Sequence, residues 1–149
     1  METETAPERL RALPSWLLAQ AALEAARTVS EHLSAVGAHR SHYAVLAALE
    51  EFGPASQAAL GRRCGIDRSD MVALLDRLEA DGDVERRPDP SDRRRNVVTL
   101  TPRGVRRLDE LSAVLGDAQD ALLTSLPDED RDALVALLRA LVTGRDARR

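Results

Sequence analysis

The apolar residues of this 149-residue chain recur three and four apart over five stretches, the spacing of one helix face, and crowd together in one short stretch between them. From about Pro14 to Val36, the positions Trp16, Leu17, Ala21, Ala25, Val29 and Leu33 predict a long helix rich in alanine. Gly37 breaks it, and Ser41 to Phe52 predicts a second helix ended by Gly53-Pro54. Past Thr101, the series Leu108, Leu111, Leu115, Ala118 and Leu122 predicts a long helix reaching about Ser125. A last helix follows Pro127, with Asp128, Glu129 and Asp130 in the first turn, where acids complement the helix dipole, and Leu134, Leu137, Leu138 and Leu141 as its stripe. Residues 1 to 9 are polar and predicted to be unstructured, and Arg148-Arg149 reads as a frayed tail. No internal repeat is visible.

Between these arms, Ser56 to Thr101 reads as helix, turn, helix and hairpin. Ser56 can cap a short helix that stops at Gly65, with Leu60 and Cys64 on one face. After the turn Gly65-Ile66-Asp67, the residues Met71, Leu74, Leu75 and Leu78 bury one side of a second helix. Arg68, Ser69, Asp70, Ala73 and Arg77 are left facing outward, polar or short side chains suited to base edges and phosphates. Beyond Gly82, Val84 to Arg87 and Asn96 to Leu100 predict two strands, the second rich in β-branched residues. Their loop, Pro88 to Asp92, consists of turn formers flanked by Arg86 and Arg87 on one side and Arg93, Arg94 and Arg95 on the other. Five guanidinium groups so close together repel one another unless a polyanion is the partner. Thr101-Pro102 then opens the next helix with a hydroxyl cap and proline at the first helical position.

Composition supports a mostly α (α+β) class. Apolar residues make up 44% of the chain but aromatics only 2%, so the core has to be built from Leu, Ala and Val. The net charge of −4 argues against nucleic acid until it is divided along the chain. Arg62 to Arg107 holds 12 arginines against 9 acids, a local +3, and the remainder holds 9 against 16, or −7. The positive charge sits on the presumed reading unit. All 21 basic residues are arginine, so its use at any one place tells little. No 18-residue apolar run is present, the start Met1-Glu2-Thr3-Glu4 is acidic unlike a signal peptide, and one cysteine forms no internal disulfide, so a cytoplasmic protein without membrane contact is expected.

The segment Asp92-Arg93-Arg94-Arg95-Asn96-Val97-Val98-Thr99-Leu100-Thr101 resembles the wing signature D-x-R-x-x-x-V-x-L-T of the MarR (multiple antibiotic resistance regulator) family, matching at Asp92, Arg94, Val98, Leu100 and Thr101. Val72-x-x-Leu75-x-x-Leu78-Glu79-x-x-Gly82, followed by Val84-Glu85-Arg86, is similar to that family's recognition helix and its exit. In element order the likeness runs from about residue 15 to 145. It implies a winged helix-turn-helix with a two-stranded wing over 41–101, flanked by dimerisation helices over 10–37 and 102–147. It further implies a homodimeric, ligand-responsive transcriptional regulator, a repressor rather than an activator, on double-stranded DNA with a pseudo-palindromic operator. The reading face comprises Ser56 and Gln57, the outward residues of the second helix, and the wing residues Asp92, Arg93, Arg94 and Arg95. Arg94 would enter the minor groove, and Asp92 would hold the wing in shape. A small-molecule effector is expected between arms and reading unit, with Trp16, His42 and Tyr43 as lining or as ordinary interface. The sequence departs from the family pattern at Asp70, where a small hydroxyl residue is common, and at Asp83, where an apolar one is.

Several residues admit two readings. Asp70 either accepts from a cytosine amino group or belongs to a capping arrangement with Asp67. Cys64 is a thiol sensor or, sharing a face with Leu60, a core residue. His32, His39 and His42 offer imidazoles for zinc, but Gly37 interrupts any common helix, and no metal or other cofactor is expected. No glycine-rich phosphate loop or nucleophile motif is present, so an enzyme is not expected. A protein-interaction module without DNA binding is the alternative that the wing arginines disfavour.

Overall fold

A computed structural model of the chain describes residues 3–146. The expected frayed tail at Arg148-Arg149 lies outside the described residues, as do Met1, Glu2 and residue 147 of the C-terminal arm. The polar start is more ordered than expected: Thr3–Thr5 form a 3₁₀ turn and Glu8–Arg11 a short helix, α1. Ala6 between them is buried.

Helix α2 spans Pro14–Ser34, with proline at its start, and α3 spans Arg40–Phe52. Helix α4, Gln57–Cys64, begins as predicted at Ser56, whose hydroxyl accepts from Ala59 N at 3.1 Å, and ends on Gly65 at φ 65°. That left-handed position costs glycine little and most other residues more. Helix α5, Arg68–Ala80, is capped by Asp67, and α6, Pro102–Leu122, by Thr101, each through a side-chain oxygen on the third amide of the helix. Caps of this kind contribute about 1 kcal/mol each. Helix α7, Asp128–Asp146, closes the described chain.

The hairpin strands are β2, Val84–Pro88, and β3, Asn96–Leu100, with Val84 opposite Leu100 and Arg87 opposite Val97. The expected two-stranded sheet gains a third strand: β1, Ala55–Ser56, adds to the outer edge of β3, giving the antiparallel order β1-β3-β2. Two residues leave no periodicity in a sequence, so only the structure reveals the pairing.

One apolar cluster joins Leu33 of α2, Val45, Leu46 and Leu49 of α3, Leu60, the predicted stripe Met71, Leu74, Leu75 and Leu78, Val84, Val98, and Leu108 and Leu111 of α6. Cys64 packs against this cluster with its Sγ 3.7 Å from Ala44 O, and burial pushes its thiol pKa up, as a core residue rather than an activated thiolate. The arms behave differently. The first half of α2 and all of α7 contribute no buried residue.

Candidate nucleic-acid interface

The second helix of the helix-turn-helix is held from its first turn. Asp67 Oδ1 accepts from Asp70 N at 3.0 Å and from Ser69 Oγ at 2.9 Å, and these bonds hold the Asp67 carboxyl below its usual pKa. At 100° per residue, the buried stripe turns Ser69, Ala73 and Asp76 straight outward. Arg68 and Glu79 fall on the flank toward the wing, and Asp70 and Arg77 on the flank toward α3.

The wing loop is shaped by its own acids. Asp89 N donates to Arg95 O at 2.8 Å, closing the hairpin, and Asp89 Oδ1 accepts from Ser91 N and Oγ. Asp92 Oδ1 accepts from Arg94 N at 3.1 Å, while Asp92 O accepts from Arg95 N at 3.0 Å. Asp92 therefore fixes the loop through the backbone as much as through charge. Its side-chain pairs, at 3.8 Å to Arg94 and 3.6 Å to Arg95, are long. Arg94 is 96% exposed, so its guanidinium projects into solvent rather than folding back. Arg93 is exposed beside it.

The five arginines of the hairpin do not form one cluster, contrary to expectation. Arg87 pairs with Glu85 at 3.2 Å, and Arg86 turns inward onto Asp76 and Glu79 of α5. Only Arg93, Arg94 and Arg95 form the tip.

Two clefts flank α5. One, of about 800 Å3, lies between α4 and the wing and is lined by Ser56, Gln57, Arg62, Arg68, Arg94 and Arg95 among others. It unites five of the residues singled out in the sequence and adds Arg62 and Asn96. Asn96 Nδ2 reaches Gln57 Oε1 at 3.5 Å, tying the wing's return strand to α4. The signal for Arg62 was its place on the turn before Gly65, but only the fold shows which way it points. The other cleft, of about 620 Å3, lies between α5 and the start of α3 and is lined by His39, Ser41, His42, Asp70, Ala73 and Arg77 among others.

Trp16, His42 and Tyr43 are not brought together within one subunit. Only His42 lines the second cleft; Tyr43 packs against the core cluster, and Trp16 stands half-buried in the first turn of α2. His42 is itself buried and structural: its Nδ1 accepts from His39 N at 2.8 Å at the start of α3, and the two rings stack 5.0 Å apart. Burial first, then the charges of His39, Arg77 and Arg107, push its pKa down. Asp83 is also buried, with Arg103 at 3.8 Å, and burial pushes its pKa up.

A MarR family model matches residues 37–95, the span from the turn before α3 to the wing tip. The transcriptional repressor CouR, solved bound to a 23-mer DNA duplex, superposes with a TM-score of 0.80 at 28% identity over 94% of this chain and 99% of its own. The chain belongs to the MarR family. Among other MarR-like neighbours, BpsR of Bordetella bronchiseptica, whose DNA binding is regulated by 6-hydroxynicotinic acid, gives a TM-score of 0.74 at 25% identity, covering 92% of this chain and 98% of that one. In sequence, the HTH-type transcriptional repressor NicR of Pseudomonas putida is 33% identical over 100 residues, 67% of this chain. This MarR-family chain spans 63% of NicR's length. The mostly helical fold with its small antiparallel sheet is that of a MarR winged helix.

Proposed function

We propose that this protein is a homodimeric, ligand-responsive transcriptional repressor that grips duplex DNA with α5 in the major groove and Arg94 of the wing in the flanking minor groove. One observation carries this reading: an arginine wing tip and the first turns of a reading helix share one cleft, with the Arg94 side chain almost wholly exposed. Arg62 and Arg68 line its floor, where a phosphate backbone running between helix and wing meets positive charge on both sides. CouR, similar over nearly its whole length, binds a duplex with the same fold.

A second copy of the chain is the partner that the arms call for. Val135, Leu137, Leu138, Leu141 and Val142 of α7 and Leu17, Leu18 and Leu23 of α2 are all exposed in a single subunit. Apolar faces of that extent on two terminal arms suit an isologous interface of more than about 2,000 Å2. A two-fold axis through the arms then sets two α5 helices about 34 Å apart, one turn of duplex.

The cleft beside α3 is the place for a small-molecule effector. Ser41, His39 and Arg77 offer donors, while Ile66, Ala73 and Leu74 offer apolar wall. A ligand seated there touches the reading helix itself and shifts it relative to the arms, as DNA binding by BpsR responds to a small acid. The test is to pass sheared genomic DNA over the purified protein at physiological salt and sequence what it retains. Retention of duplexes sharing a pseudo-palindrome is expected; indifference to duplex DNA would refute the reading.

A further inference from the structure

Arg86 stands apart from the other hairpin arginines. Its side chain is 18% exposed, against 96% for Arg94. Its backbone N donates to Glu79 Oε2 at 2.9 Å, and its guanidinium donates to Glu79 Oε1 through Nη2 at 3.1 Å and Nε at 3.4 Å, and to Asp76 through Nη2. The bonds hold Glu79 below the usual carboxylate range. One residue of strand β2 is therefore clamped to two carboxylates of α5.

The clamped helix has an electrostatic difficulty. Arg68–Ala80 carries two arginines, Arg68 and Arg77, and three acids, Asp70, Asp76 and Glu79, a balance of −1. Arg77 is itself tied to Asp81 at 3.1 Å. A helix of net negative charge entering a groove walled by phosphates is repelled, and Asp76 lies nearly opposite the buried stripe, so it faces any DNA the helix approaches.

We propose that Arg86 is the internal counter-charge of the reading helix, a positioning residue that neutralises Asp76 and Glu79 and holds the wing against α5 while duplex DNA is bound. The inference rests on the DNA-binding reading above. Asp76, Glu79 and Arg86 together carry −1; without Arg86 the same surface carries −2. Arg86 is too enclosed to serve as a phosphate contact, and it acts through the two acids.

The test measures Kd for a duplex that the parent protein retains, with circular dichroism to verify folding. The proteins compared are the parent, Arg86→Gln, Arg86→Lys and the triple variant Arg86→Gln/Asp76→Asn/Glu79→Gln. Arg86→Gln is expected to bind about tenfold more weakly or worse, and Arg86→Lys to recover most of that loss. The triple variant is expected to return to within about threefold of the parent, because the need for a counter-charge has gone with the acids. A folded Arg86→Gln of parental affinity, or a triple variant as weak as the single one, would overturn the proposal. Where Arg86→Gln does not fold, the triple variant decides against the parent: a folded triple variant more than about tenfold weaker than the parent overturns the proposal. A parent that retains no duplex overturns the functional reading and this inference together, whereas parental binding indifferent to Arg86→Gln overturns only this one.

Discussion

His42 shows how a single side chain that lines a cleft can also hold the structure around it. It lies at the start of α3, accepts a hydrogen bond from His39 N, and faces Arg77, Arg107 and Asp81 across the junction of three helices. The folded protein keeps it neutral, its pKa depressed below the ordinary 6.5. The unfolded chain takes up this proton first as pH falls, so it holds more protons than the native state in that window, and stability declines as pH drops through about 6.5. Asp83 works in the opposite sense: its raised pKa contributes stability that is full below about 3.8 and lost as pH rises through the folded value, a contribution common to the parent and to a His42 variant. His42→Asn places an oxygen near Nδ1 that accepts from His39 N without titrating. Between about pH 7.5 and pH 5.5, a range spanning the ordinary imidazole value, the parent's Tm is expected to fall further than that of His42→Asn. Parallel pH curves for the two proteins would show that His42 is not the titrating group.

At the scale of elements, the start of α6 determines how the wing sits on the domain. Thr101 Oγ1 caps α6 by accepting from Gly104 N at 3.0 Å and donates its one proton to Gly82 O at 2.6 Å, shared with Asp83 O at 3.0 Å, while Thr101 N donates to Asp83 O at 3.1 Å. The approach requires glycine: a Cβ on Gly104 would lie 2.1 Å from Asp83 O and 2.6 Å from Leu100 Cδ1. The nearer neighbour is backbone and cannot rotate away. Gly104→Ala is expected to destabilise the fold by about 1–3 kcal/mol or more, read as a lower urea midpoint with an unchanged slope. An unaltered midpoint would mean that α6 does not press on the wing as described. The caps and stripes of these elements were legible in the sequence because each depends on nearest neighbours along the chain: Ser56, Gly65, Asp67 and Thr101 do locally what their residue types prefer. Features made by residues far apart were not legible. The pairing of Ala55 with Val98, the approach of Gly104 to Asp83 and the inward turn of Arg86 all depend on tertiary packing, and the sequence offered only an undivided count of five arginines.

For the whole molecule, the central observation is an arginine-tipped reading unit on a compact core, carried by arms that a single subunit leaves uncovered. Helix α7 contributes no buried residue, so the stripe that the sequence predicted stands uncovered in a single subunit, and the proposed dimer is what would cover it. Each leucine covered there contributes about 1.5–3 kcal/mol. The parent is expected to sediment at about twice 16.2 kDa, and Leu141→Asp as a monomer with an intact winged unit, because Leu141 takes no part in the core. A parent that sediments as one subunit would remove the symmetry on which operator spacing rests. The most direct test of the account is the salt dependence of duplex binding by the parent and by Arg94→Ala. Each neutralised phosphate contributes about −0.9 to the slope of log K against log salt, and a dimer presents two wings. The account predicts weaker binding by a folded Arg94→Ala with a slope shallower by about 1.8, twice the single-site value; equal affinity and equal slope for the two proteins would contradict it.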